Sequence, residues 1–125
     1  MLPRTIDKGR ATLANQCGEY HYNCPMDQRL FRFLGIEADA LRKQLATGKT
    51  DDEIFKWIMA NSSTRPDLIQ VLAWSAYQEQ RTPSDPESRA FFNKLQPQAA
   101  AHRDDISTWF DLLDIDDFVS FGGRA

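Results

Sequence analysis

Hydrophobic residues along this chain recur at three- and four-residue intervals almost from end to end, the spacing of helices with one buried face. After Pro3, "IDKGRATLA" sets Ile6, Leu13 and the stem of Arg10 on one side of a first helix. Proline suits that start, because a first-turn N–H has no intrahelical partner to lose. "MDQRLFRFLG" carries Met26, Leu30, Phe33 and Leu34 as one stripe, opened by Pro25 and closed by Gly35. "EADALRKQLATGK" repeats the pattern with Ala38, Leu41, Leu45 and Ala46, and stops at Gly48. Thr50 followed by Glu53 predicts a capping box, in which each side chain satisfies a backbone N–H at the helix start. Behind it Ile54, Trp57 and Ile58 face inward, with Phe55 and Met59 beside them.

"RPDLIQVLAWSAYQEQ" gives a stripe of Leu68, Val71, Leu72, Ser75 and Ala76. A second Ser-x-x-Glu box, Ser84 to Glu87, opens the next helix, which Pro97 should end by Leu95. "QAAAHRDDISTWFDLLDIDDF" reads as the last long helix, with Ile106, Trp109, Phe110 and Leu113 inward. A short turn over residues 114–118 and a frayed tail over 119–125 complete the chain. "EYHYNC" is the one β-like hexamer, and Asn23 and Pro25 cut it short. The pattern therefore predicts an all-α fold: one domain over 1–125, a compact bundle of about six short helices with short links. It is not a regular up-down four-helix bundle.

The balance of residue types supports this and narrows the function. At 125 residues, 42% of them hydrophobic and 26% charged, the chain can bury roughly two-thirds of its unfolded surface without staples. A net charge of −3 and a pI near 5.3 argue against a nucleic-acid partner. Charge is uneven: five basic against three acidic residues over 1–35, two against six over 100–125. The apolar runs are too short and too often broken by charge to span a membrane. With no signal-like segment after Met1, the two cysteines are expected as reduced thiols in a cytoplasmic protein.

The opening third, "LPRTIDKGRATLA" and then "GEYHYNCPMDQRLFRFLGI", resembles the signature of a small bacterial family classed as a domain of unknown function. The similarity runs through Leu2, Pro3, Arg4, Ile6, Asp7, Lys8, Arg10 and Ala11, then Gly18, Glu19, Tyr20, Tyr22, Cys24, Pro25, Asp27, Gln28, Phe31, Phe33, Leu34 and Gly35. "TDDEIFKWI" and "DISTWFDLLDIDD" are similar to later segments of the same family. The chain departs from that pattern at Ser75 after Trp74, where asparagine is expected, and in "FVSFGGRA", where the family ends acidic. The resemblance implies a shared fold and no activity.

Candidate chemistry gathers in the link "GEYHYNC" and the helix starts beside it. Cys17-x3-His21-x2-Cys24 offers three zinc-ligating side chains in eight residues, without the paired spacing of a zinc knuckle, so no metal site is expected. Cys24 at the start of a helix, with His21 near, is a candidate nucleophile–base pair, and Glu19 is a further candidate for proton transfer. Arg4, Asp7, Arg10, Tyr20, Tyr22, Asp27 and Arg29 would converge at one end of the first two helices if these pack together. Their arginines could then hold a carboxylate or phosphate bidentately. The same residues could equally be a salt-bridge network that only fixes packing. "GKT" at 48–50 lacks the upstream glycine of a P-loop, and "DLLDIDD" lacks the glycine and terminal glutamate of a calcium loop, so no cofactor is implied. Two functions stand: a domain binding a small anionic or polar ligand at the turn over residues 18–29, with catalysis open; or an accessory module docking on a protein partner.

Overall fold

The computed structural model describes residues 1–96 in full, the backbone of 97–100, and residues 102–120 and 122–123. Among them are seven helices and no strand. The helices are α1 (Leu2–Leu13), α2 (Pro25–Leu34), α3 (Ala38–Leu45), α4 (Asp51–Asn61), α5 (Leu68–Glu79), α6 (Pro86–Ala100) and α7 (Trp109–Ser120). The all-helical expectation holds, with one helix more than the six expected. No described helix is long and apolar enough to cross a membrane. The helices group into two compact units, Met1–Leu68 and Ile69–Ala125.

In the first unit α1 packs on α3, and α3 on α4. The core is Ile6 of α1; Leu30, Phe31 and Leu34 of α2; Ile36; Leu41 and Leu45 of α3; and Ile54 and Ile58 of α4. The buried faces differ from the predicted stripes in two places. Phe31 is buried where Phe33 was expected, and Leu13 is exposed while Thr5 and Gly9 are buried. Thr5 is buried with its hydroxyl donating to Asp27, and Gly9 lies where α1 approaches α3 closely. A Cβ on Gly9 would collide with the Leu45 side chain and press on the Tyr22 ring.

Helix ends follow their local chemistry. Pro25 opens α2, and Gly35 closes it at φ 61°, the left-handed conformation glycine adopts without strain. A helix end leaves carbonyls without partners, and here they are taken by hydroxyls from beyond α4. Ser62 Oγ donates to the Leu34 carbonyl at 2.6 Å, Thr64 Oγ1 to that of Phe33 at 2.7 Å, and Ser63 Oγ to that of Gly35 at 2.9 Å. At α4 the capping box is reciprocal. The Glu53 N–H donates to Thr50 Oγ1 at 3.3 Å and the Thr50 N–H to Glu53 Oε2 at 2.9 Å.

In the second unit α6 packs on α7 around Phe92, Ile106 and Leu112. The Trp109 ring lies edge-on to Phe92 at 5.3 Å. Three expectations need correction. The cap of α6 is Asp85 with Ser88, not Ser84 with Glu87: the Ser88 N–H donates to Asp85 Oδ1 at 2.7 Å. Asp85 directly precedes Pro86 at the first helical position, so its carboxylate meets the free N–H groups first. Nor does α6 stop at Leu95. It runs through Pro97 to Ala100, giving up one backbone bond, with strong helix-forming alanines following and α7 packed alongside. The predicted long last helix is then interrupted over 102–108, where Arg103 chelates Asp105 at 2.6 and 2.7 Å. α7 starts afresh on a Thr108–Asp111 cap. Of the tail expected over 119–125, Val119 and Ser120 complete α7, and 121, 124 and 125 lie outside the described residues.

The predicted stripe of α5 is not a buried face. Leu68 is 72% exposed, Ile69 77% and Leu72 60%, whereas Gln78 is buried. Apolar residues surround this helix on nearly every side, so their spacing does not select an inner face.

Two outcomes test this account. Gly35→Ala is expected to destabilise the protein by about 2 kcal/mol, because a Cβ there strains the left-handed backbone and overlaps Ser63 Oγ. Denaturant unfolding should show Ser63→Gly recovering only part of that loss. The cap bonds from Thr50 hold the Glu53 carboxyl below its ordinary 4.5. Its contribution is therefore complete above that pH and is lost as pH falls through the lower folded-state value. Melting curves between about pH 5 and pH 3 should fall less steeply for Glu53→Gln than for wild type.

Candidate functional site

The link between α1 and α2 is a chain of turns. Asn15, Gly18 and Asn23 take positive φ of 54°, 56° and 64°, a conformation that asparagine and glycine tolerate best. The Tyr20 N–H closes a turn on the Cys17 carbonyl at 2.9 Å. Tyr22 is turned inward, edge-on to Phe31 at 5.8 Å, and its hydroxyl donates to the Ala38 carbonyl at 2.8 Å. Burial, aided by the negative charge of Asp27, pushes that phenol well above its ordinary range. Tyr22 is therefore a fixed neutral donor, not a proton carrier.

Against α3 this link forms a cleft of about 330 Å³, lined by Thr12, Cys17, Tyr20, His21, Tyr22, Asn23, Asp39 and Arg42. Arg42 Nη2 lies 3.4 Å from Asp39 Oδ1, and both side chains remain open to solvent. A second cleft of about 430 Å³ opens beyond Asn23, lined chiefly by Gln28, Phe31, Arg32, Ile36, Glu37 and Ser63. The first concentrates the ring, imidazole and thiol groups and is the candidate site. Among the described residues, no three or more His, Cys, Asp and Glu side chains are grouped to hold a metal ion.

The sequence-predicted residues do not all converge on one place. Cys17, Tyr20, His21 and Tyr22 line the cleft. Arg4 stands behind it, its guanidinium carbon 6.0 Å from the centre of the Tyr20 ring. Glu19 is exposed on the link, and neither it nor half-buried Arg29 lines either cleft. Arg10 is engaged elsewhere: Nη1 meets Asp51 Oδ1 at 2.6 Å and Nη2 donates to the Lys49 carbonyl at 3.0 Å, which ties α1 to the start of α4. Asp7, exposed, lies 4.0 Å from Arg10.

Cys24 and Asp27 belong to a cluster beneath the link. Asp27, 2% exposed, receives Lys8 Nζ at 2.8 Å and the Thr5 hydroxyl at 2.9 Å, both on Oδ1. Its Oδ2 is buried with no hydrogen-bond partner. Lys8 Nζ also lies 3.3 Å from Cys24 Sγ. The neighbour of Cys24 is thus Lys8, and both cysteines are free thiols. The sequence reading omitted Thr12, Asn23, Asp39 and Arg42 from the site and Thr5 from the cluster. Asp39 and Arg42 form an ordinary i, i+3 pair on the polar face of α3, and nothing local marks them.

The described residues form an all-helical fold whose first unit carries a polar, aromatic-walled recess built on an irregular link. The sequence places it more closely. The chain belongs to the family of the domain of unknown function DUF5069, whose model matches residues 1–119. No curated protein matches it.

The cluster predicts its own energetics. Removing one partner of a buried ion pair leaves the other charge uncompensated. Asp27→Ala should therefore cost about 3 kcal/mol in chemical unfolding. The double variant with Lys8→Met should be more stable than Asp27→Ala alone.

Proposed function

We propose that this domain binds a small polar ligand carrying an anionic group in the cleft between the 14–24 link and α3. The lining carries the reading. Arg42 presents a planar fork suited to a carboxylate or phosphate, and the His21 ring adds an N–H donor. Tyr20 offers a ring backed by Arg4, and Asp39 can receive an amine or hydroxyl of the same ligand. A recess of about 330 Å³ is at the small end of metabolite-sized sites. If the site also catalyses, Cys17 and His21 are the nucleophile and base types that line it.

The test is a thermal-shift and calorimetry panel of carboxylates, phosphates and amino acids. At least one anionic compound should raise the wild-type melting temperature, as any ligand of the native state does by mass action. Arg42→Ala should weaken that compound's binding about tenfold, the order expected for one charged hydrogen-bonding partner. Arg29→Ala, outside the lining, should leave it unchanged. A panel without a hit, or a hit indifferent to Arg42→Ala, overturns the reading.

One observation favours a second reading, docking on a protein partner. The α5 helix leaves Leu68, Ile69, Leu72 and Tyr77 mostly exposed, an apolar surface of the kind that marks interfaces. A blank panel together with binding of an apolar-surface dye that is lost in Leu72→Asp would favour docking.

A further inference from the structure

The Lys8–Cys24–Asp27 cluster takes no part in the ligand cleft, and its geometry supports chemistry of its own. A lysine nitrogen 3.3 Å from a cysteine sulfur is close enough for one inserted oxygen atom to bond both. The thiol is half-buried at the N-cap of α2, within reach of a molecule as small as a hydroperoxide. The ammonium rests against Asp27 Oδ1 at 2.8 Å, and Oδ2 of that 2%-exposed carboxylate has no partner. An acceptor for the proton that Lys8 must release is therefore in place beside it.

We propose that Lys8 and Cys24 are a redox modification site, at which hydrogen peroxide builds a reversible N–O–S bridge between α1 and the start of α2. The first equivalent oxidises the thiol: the S–O bond forms as the peroxide O–O bond breaks, and water leaves, giving the sulfenic acid. Lys8 passes its ammonium proton to Asp27. The second equivalent removes two electrons and two protons as the sulfenic oxygen bonds Nζ, and is itself reduced to two waters. The thiol and amine together thus give up four electrons to two hydroperoxides. A dithiol reductant returns the thiol and amine. The bridge ties the middle of α1 to the last residue of the link that walls the cleft, closing a loop over residues 8–24, so its formation constrains the unfolded chain and stiffens the native one.

The test treats the full chain with hydrogen peroxide and reads intact mass and digested peptides. The expected product gains one oxygen and loses two hydrogens, joins the Lys8 and Cys24 peptides, melts at higher temperature and reverts with dithiothreitol. It should be absent in Lys8→Arg and Cys24→Ser and present in Cys17→Ser. Oxygen addition on Cys24 without a cross-link overturns the proposal, as does a Cys17–Cys24 disulfide that disappears in Cys17→Ser, or an unmodified Cys24. Lys8→Arg keeps a cation against Asp27, so loss of the bridge in that variant, with its melting temperature near wild type, separates the chemistry from misfolding. Failure here leaves the cleft reading untouched, since the panel for that site does not involve Lys8 or Cys24.

Discussion

A single buried carboxylate organises the first half of this protein. Asp27 sits in the first turn of α2, where a negative charge complements the helix dipole, and draws Lys8 and Thr5 of α1 onto one of its oxygens. Two helices joined by an irregular link of eleven residues, 14–24, are thereby fixed in register at the end where that link enters α2. An apolar contact could bring α1 and α2 together, but it would tolerate sliding. A charge taken out of water holds only when its partners are in place. The turns at Asn15, Gly18 and Asn23 can then shape the cleft wall without having to hold the helices themselves.

The parts of the fold that were readable from sequence are those governed by a few adjacent residues. Pro25 and Gly35 bracket α2, and Thr50 with Glu53 starts α4, because caps and breakers act within one turn. The same logic slipped by one residue at Asp85, where two acceptors compete for one helix start, and it gave Pro97 too much authority over a helix held by its neighbour. The α5 helix shows a different limit. Apolar spacing tells which residues would share a face, not whether anything covers it.

The candidate site was half legible. An excess of tyrosine, histidine and cysteine in a link that asparagine and glycine can fold marked the cleft wall, and Tyr20, His21, Tyr22 and Cys17 do share it. The opposite wall was invisible, because Asp39 and Arg42 reach the cleft only through the packing of α3 on α1. Residues that looked equally chemical were drawn into structure instead: Arg10 by the start of α4, Asp27 by Lys8. Ionisable side chains near a turn are claimed first by whatever unpaired backbone and charge the packing leaves nearby.

The distribution of aromatic residues has an optical consequence. Trp57 lies on α4 in the first unit, while Trp74 and Trp109 lie on α5 and α7 in the second. No tryptophan lines the cleft, whereas Tyr20 and Tyr22 both do. Intrinsic emission excited at the red edge thus samples both halves of the molecule and leaves the recess dark. With Trp57 as the lone indole of its unit, replacing it by phenylalanine leaves emission from the second unit alone, so the two halves can be followed separately without attaching any dye.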